Sequence, residues 1–158
     1  MFYFYPYEGW QSQQLLLAPS TYDIVQFGAN AQHIYLRDIA LKVGGGNGVA
    51  FDASSNHCGV IGGEIKNVTG IGAVIRGADN FVRDCDISFT GSKGISISGG
   101  VETQLIQGRN YAENNIIHDT GTGGGDKQGI TINGCGNRVS NNHIYNTPTH
   151  GMNGGGME

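Results

Sequence analysis

The sequence predicts an all-β fold, a right-handed parallel β-helix (solenoid) of about five to six coils. Five times a short apolar strand follows a glycine, and these glycines are spaced 24, 22, 35 and 22 residues apart. The apolar residues alternate with a period of two, which is typical of strands and not of helices. A repeat near 22 to 24 residues with a strand pattern is what one solenoid coil per repeat produces. The strand-starting glycines are Gly48, Gly72, Gly94, Gly129 and Gly151.

The second strand of each coil repeats more tightly than the first. Two apolar columns lie five residues apart: Ile34, Val60, Val82, Ala112 and Val139, then Ile39, Ile65, Ile87, Ile117 and Ile144. Between them lies a third column of Arg37, Gly63, Cys85, Asn115 and Asn142, and a further set, Asn80, Asn110 and Asn137, precedes the strands. We expect stacked Asn or Cys side chains at these bends to form hydrogen bonds from coil to coil.

The first strand of each coil is expected to place alternate side chains in the core. The inward set is Val49, Phe51, Ala73, Ile75, Ile95, Ile97, Ile130 and Ile132, and Phe27 repeats Phe51 one coil earlier. The next outward position holds Asp52, Arg76, Ser98 and Asn133. In a stack of parallel strands these four side chains form one column with a step of about 4.8 Å.

One coil is longer than the others because it carries two insertions, within 98–109 and 121–128. Solenoids accept insertions at their turns, and such loops often shape the binding face. We therefore expect these two loops to form the walls of a site.

Composition excludes several classes of function. Only 14% of residues are charged and the net charge is −4, whereas nucleic-acid-binding proteins normally present a basic face. No apolar run approaches the roughly 18 residues of a membrane span.

The 28 glycines beside 3 prolines indicate repeated tight turns. Three cysteines cannot form a complete disulfide framework, and we expect them to be buried or turn residues.

The chain is expected to form a single β-helix domain over 1–158, with an aromatic segment and partial coil at 1–22 and coils over 23–158. Aromatic residues within 1–10 would cover the open end of the stack, since such an end exposes strand edges and favours self-association. The first residues lack the basic and apolar regions of a signal peptide. Because the sequence stops inside a new coil, we expect it to be part of a longer protein.

Three segments carry a resemblance to a known family. They are YFYPYEG at 3–9, NYAENNIIH at 110–118 and GITINGCGNRVSNNHIYNTPTHG at 129–151. These segments resemble the right-handed parallel β-helix proteins of carbohydrate degradation, most closely the glycoside hydrolase family 141-like group. The resemblance implies a secreted, extracellular or periplasmic protein that binds polysaccharide or oligosaccharide and hydrolyses it. The same coils occur in polysaccharide lyases, epimerases and phage spikes, so these activities stay open.

Candidate catalytic residues cluster around the second insertion. Hydrolysis of a glycosidic bond needs two carboxylates, and Asp119 and Asp126 flank a glycine run that could bring them to one face. The alternative is that both cap turns, a role that Asp favours. His118, Asp119 and His150 match the histidine-rich turns of the resembled group by position, and His150 directly precedes a strand start.

Candidate substrate-binding residues are Asp52, Arg76, Asn133, Lys127 and Lys93. A lyase or epimerase acting on uronate sugars would need a cation for the carboxylate and a base for the proton, which Arg76, Lys127 and His150 fit by type. Arg76 could equally form an ion pair with Asp52. No cofactor or metal site is predicted; calcium is used by some related lyases, but the glycine run lacks the calcium-binding repeat. A third reading is a non-enzymatic solenoid that binds glycan or self-associates.

Overall fold

The computed structural model describes residues 21–124, 127–148 and 152–154. They form a parallel β-solenoid of about five turns, which confirms the predicted fold. One six-stranded parallel sheet, face A, contains β1 (Val25–Phe27), β3 (Val49–Phe51), β5 (Ala73–Ile75), β8 (Ile95–Ile97), β13 (Ile130–Ile132) and β16 (Met152–Gly154) in that order. The order shows that each coil contributes one strand to this face.

The other two faces belong to a second parallel sheet. Face B contains β6 (Phe81–Arg83), β11 (Tyr111–Glu113) and β14 (Arg138–Ser140); face C contains β7 (Asp86–Thr90), β12 (Ile116–His118) and β15 (His143–Tyr145). The long strands β2 (Tyr35–Gly44) and β4 (Gly59–Val68) run along both faces, since β4 pairs with β6 through its first half and with β7 through its second. Each coil is therefore three-sided.

Residues in the left-handed backbone conformation mark the three corners of the coils. The AB corner has His57, Asp79, Arg109 and Gly136; the BC corner has Asp38, Gly62, Asp84, Asn114 and Asn141; the CA corner has Val43, Asn67, Phe89, Asp119 and Asn146. Gly, Asn and Asp accept this conformation readily, which explains why they recur at fixed positions in the repeat. Val43 and Phe89 do not, so tertiary structure must hold them there.

The core is formed by the predicted inward columns. All eight predicted inward residues of face A are buried, and the rings of Phe27 and Phe51 stack with centroids 4.4 Å apart. On the other faces, Val60 pairs with Val82 and Ile65 with Ile87, as the column spacing predicts. Since most of these side chains are fully enclosed, the solenoid interior is one continuous apolar cluster.

The recurring strand-start glycine has a steric cause. A Cβ placed on Gly72 would lie 2.5 Å from the carbonyl oxygen of Gly94 and 2.5 Å from Cγ2 of Ile87. Gly48 and Gly94 meet the next coil in the same way. The coils approach each other too closely at this point for any side chain, so the repeat requires glycine there.

Asparagine ladders connect the coils, as predicted. At the AB corner the Asn80 side-chain oxygen accepts the Cys58 N–H at 2.8 Å, Asn110 accepts the Asn80 N–H at 2.9 Å, and Asn137 accepts the Asn110 N–H at 3.1 Å. At the BC corner Asn115 accepts from Cys85, and Asn142 accepts from Asn115, both at 3.0 Å. These side chains satisfy backbone groups that the turns would otherwise leave without partners in the interior.

The first-coil assignment is wrong by two residues. Leu36, and not Ile34, pairs with Val60, and Leu41, and not Ile39, pairs with Ile65. Ile34 is exposed, and Arg37 lies opposite Ile61 rather than in the Gly63 column. A shift of two residues keeps every side chain on the same face of a strand, so alternation alone cannot detect it.

The first insertion of the long coil forms a small hairpin. Strands β9 (Gly100–Val101) and β10 (Ile106–Gln107) pair antiparallel, and a 3-10 turn over Glu102–Gln104 joins them. The hairpin projects at the AB corner, where Asp79 receives two hydrogen bonds from Arg109, at 2.6 and 2.7 Å. This bidentate pair fixes the end of the insertion to the preceding coil.

Within the described residues, the chain forms no helix with the length and apolarity to cross a bilayer.

Candidate active site

His118 lies between two carboxylates at the CA edge of face C. Its Nδ1 is 2.7 Å from Asp119 Oδ2, and its Nε2 is 3.3 Å from Asp86 Oδ1. The Asn146 side chain donates to the other Asp119 oxygen at 3.3 Å. The four residues belong to three successive coils, so stacking of the coils assembles the cluster.

The two contacts of His118 differ in kind. The contact with Asp119 is a hydrogen bond, whereas the contact with Asp86 Oδ1 lacks hydrogen-bond geometry. Asp86 Oδ1 is buried, yet the Asp86 side chain as a whole is 48% exposed, so the exposure belongs to the rest of the side chain. An imidazole whose Nδ1–H donates to Asp119 turns Nε2 toward Asp86, and the two groups face each other across 3.3 Å.

Aromatic contacts fix the His118 ring. Tyr145, its register partner in the next coil, stacks on it with centroids 4.8 Å apart and planes 2° from parallel. The ring of Phe89 meets it edge-on at 6.1 Å. The two aromatic rings therefore hold His118 in one orientation, in addition to its hydrogen bond with Asp119.

A second carboxylate lies beside Asp86. Glu64 is the register partner of Asp86 on the adjacent strand, and both are on the outer side of face C. Neighbouring parallel strands are about 4.8 Å apart, so the two carboxyl groups start from backbone positions separated by about that distance. This pair was not predicted from the sequence, which gave Asp119 and Asp126 as the candidate carboxylates, and the outward column of face A contributes Asp52 alone.

The charges around the cluster keep two of these groups ionised. The Lys42 ammonium, 2.6 Å from Glu64, lowers the pKa of that carboxyl group, with a further contribution from Lys66. The hydrogen bond from His118 lowers the pKa of Asp119, and Asn146 adds to the effect. Both groups are therefore carboxylates at neutral pH.

An open groove of about 350 Å³ adjoins the cluster at the CA corner. The side chain of Phe89 lies at its rim, next to His118, and Thr122 and Gly123 come from the second insertion of the long coil. The loop 121–128, expected to form a wall, thus contributes to a groove beside two of the predicted catalytic residues, His118 and Asp119.

The predicted binding residues Asp52, Arg76 and Asn133 lie at the AB corner, at the far end of the face A strands from Asp119. Arg76 lines a second open groove, of about 440 Å³, whose other side is the β9–β10 hairpin. Asp52 accepts hydrogen bonds from the backbone N–H and hydroxyl of Ser54, which lower its pKa, and Arg76 adds a smaller electrostatic effect. The predicted residues therefore form two separate groups.

The remaining predicted residues lie near the CA corner or outside the described chain. Lys93 and Gln128 are equivalent in adjacent coils, because the Gly72 N–H donates to Lys93 O and the Gly94 N–H to Gln128 O. Lys127 folds back beside Gly121 and its carbonyl accepts from the Thr120 hydroxyl at 3.3 Å. Asp126 and His150 lie outside the described residues, as does the aromatic segment at the N-terminus.

The structure limits other chemistries at this site. Burial raises the pKa of the Cys85 thiol to about 12, which leaves it unsuited to act as a nucleophile. In the described parts of the chain, no three His, Cys, Asp or Glu side chains are arranged to hold a metal ion. Asp86 and Asp119 contact different nitrogens of His118 and so do not converge on one point.

Comparisons of the chain with protein-family models, with curated proteins and with solved structures found no match.

Proposed function

We propose that the protein binds a polysaccharide along the CA corner and hydrolyses it, with Glu64 and Asp86 as the two carboxyl groups. The observation that carries the proposal is their placement on adjacent strands beside His118. Retaining glycosidases use two carboxyl groups about 5–5.5 Å apart, which is close to the strand spacing of about 4.8 Å. The resemblance to carbohydrate-degrading β-helix proteins supports the same substrate class.

The charges around Glu64 suggest its role, and Asp86 takes the complementary role as the second carboxyl group of the pair. Glu64, kept ionised by Lys42, is suited to attack the anomeric carbon and form a glycosyl–enzyme intermediate. Asp86 is suited to protonate the departing sugar oxygen and later to accept a proton from the attacking water. His118 lies beside Asp86 with its Nε2 3.3 Å away, and Asp119 is a positioning residue that holds Nδ1.

The test is release of reducing ends without formation of an unsaturated sugar, from a panel of neutral and acidic polysaccharides, because elimination by a lyase also frees a reducing end. We expect Glu64→Gln and Asp86→Asn each to lower the rate at least about 100-fold, since acid–base groups typically contribute 10²- to 10⁴-fold. Asp84→Asn is the matched control, because Asp84 lies at the BC corner in a left-handed conformation that Asn accepts. Full activity of both site variants would place the chemistry elsewhere, and no release from any substrate would refute hydrolysis.

A second candidate is a lyase or epimerase that acts on uronate sugars. The observation in its favour is Arg76, an exposed cation in the groove beneath the hairpin. A uronate carboxylate would pair with the guanidinium, while the Val101 and Ile106 side of the groove would cover the apolar face of the ring. Appearance of an unsaturated sugar product without hydrolytic release, and its loss in Arg76→Gln, would favour this candidate.

A further inference from the structure

Phe89 is an exposed aromatic residue at the mouth of the CA groove. The CA groove crosses three coils, which corresponds to a length of about 10 Å at about 4.8 Å per coil. The residues that line it include Asn67, Thr69, Gly91, Thr122 and Gly123. Phe89 is the one aromatic side chain among the lining residues of this groove in the described chain. It is 41% exposed, so the fold gains little from its burial.

The backbone of Phe89 is in an unfavourable conformation. Its φ is 51°, in the left-handed region that Phe adopts rarely. The same corner position holds Asn67, Asp119 and Asn146 in other coils, residues that accept this conformation better. Val43 shares this conformation, but Phe89 differs from it in being an exposed aromatic residue in a groove.

The contacts of the ring connect the groove with the carboxylate cluster. Lys66 Nζ lies over the ring, 5.1 Å from its centroid, and Lys66 also contacts Glu64 at 3.6 Å. The His118 ring is 6.1 Å away and 76° from parallel. A ligand lying on Phe89 would therefore reach the surroundings of Glu64 and Asp86.

We propose that Phe89 forms a stacking subsite for the apolar face of a sugar ring, adjacent to the carboxylates. This inference rests on the proposed function and extends it by naming a residue that binds the glycan. A flat aromatic ring covers the C–H face of a sugar, while Asn67 and Thr69 offer hydrogen bonds to hydroxyl groups at its rim.

The experiment compares Phe89→Asn with Val43→Asn. Val43 holds the same corner position two coils earlier, at φ 63°, and is absent from the groove lining. Both substitutions introduce Asn, which accepts the left-handed conformation of this corner position better than Val or Phe does. The two variants differ because only Phe89→Asn removes the aromatic ring from the groove. Phe89→Tyr keeps the ring and serves as the conservative variant.

Binding is measured by titration calorimetry with hexasaccharides of xylose, glucose and galacturonic acid. On the hexasaccharide that the wild type binds, we expect Phe89→Asn to weaken binding about tenfold, which corresponds to the loss of one aromatic contact. Val43→Asn and Phe89→Tyr should stay within about twofold of the wild type. Equal binding by Phe89→Asn would overturn the stacking subsite and leave the proposed function in place. No binding of any hexasaccharide by the wild type would overturn both.

Discussion

The AB and CA corners turn the chain in the same way but use their side chains differently. At the AB corner, Asn80 and Asn110 are fully buried and connect three coils through hydrogen bonds. At the CA corner, Phe89 and Asp119 point outward to a groove and to His118. The repeat therefore determines the backbone conformation at each corner. A side chain that points outward from a corner can then vary and take part in function.

The largest effect is expected from Gly72→Ala, which tests the close stacking of the coils where the face A strands begin. The new methyl group would collide with the Gly94 carbonyl of the next coil, and neither strand can move without disrupting the stack. We expect a loss of about 4 kcal/mol in the free energy of unfolding, measured with urea. Gly28→Ala is the control, since no atom lies within 4 Å of its Cβ position. Similar stabilities for the two variants would contradict the close approach of the coils.

Asn110→Ala is expected to have the next largest effect on stability. It removes the acceptor of the Asn80 N–H and the donor to the carbonyls of Gly77 and Ser98. Buried polar groups left without partners cost about 1–3 kcal/mol each, and we expect a total of about 3 kcal/mol because solvent can reach some of them. Asn133→Ala, at an exposed position of the same corner, should change stability by less than about 0.5 kcal/mol. Equal losses in urea unfolding would show that the ladder does not stabilise the corner.

The Asp79–Arg109 pair at the AB corner predicts a smaller, pH-dependent effect. The hydrogen bonds from Arg109 lower the pKa of Asp79 below its ordinary value of 3.8, so the stabilisation is fully present above about pH 4. It is lost as the pH falls through the folded-state pKa. Asp79→Asn should therefore cost about 0.5–1 kcal/mol at neutral pH and progressively less toward pH 2.

Urea unfolding from pH 2 to 7 measures this dependence. Arg109→Gln provides the second variant, and the double variant should be no less stable than the weaker single one, because each change removes the same pair. A constant difference between Asp79→Asn and the wild type at every pH would contradict a role for the ion pair.

The fold could be predicted because steric rules act on every coil. The glycine that starts each face A strand and the Val and Ile columns follow from the close stacking of the coils, and they recur from Gly48 to Ile132. The first coil was misassigned because Ile34 and Ile39 fit the five-residue interval as well as Leu36 and Leu41 do. Only the pairing of β2 with β4 distinguishes the two registers.

The site was less predictable because it depends on diagonal contacts between coils. His118 and Asp119 are adjacent in sequence and were found, but the contact of His118 with Asp86 spans 32 positions and does not follow the strand register. The Glu64–Asp86 pair could have been found by applying the column alignment to face C. Phe89 gave no sequence signal, since Phe is unfavourable in the conformation that it adopts.

The most direct test of the difference between the corners measures Asn110→Ala and Asp86→Asn side by side, by urea unfolding and by release of reducing sugar from the polysaccharide that the wild type cleaves. We expect Asn110→Ala to lose stability and keep its rate per folded molecule. Asp86→Asn should keep its stability within about 1 kcal/mol and lose activity about 100-fold. The account would be contradicted if both variants lost stability and activity together, or if Asp86→Asn kept the full rate.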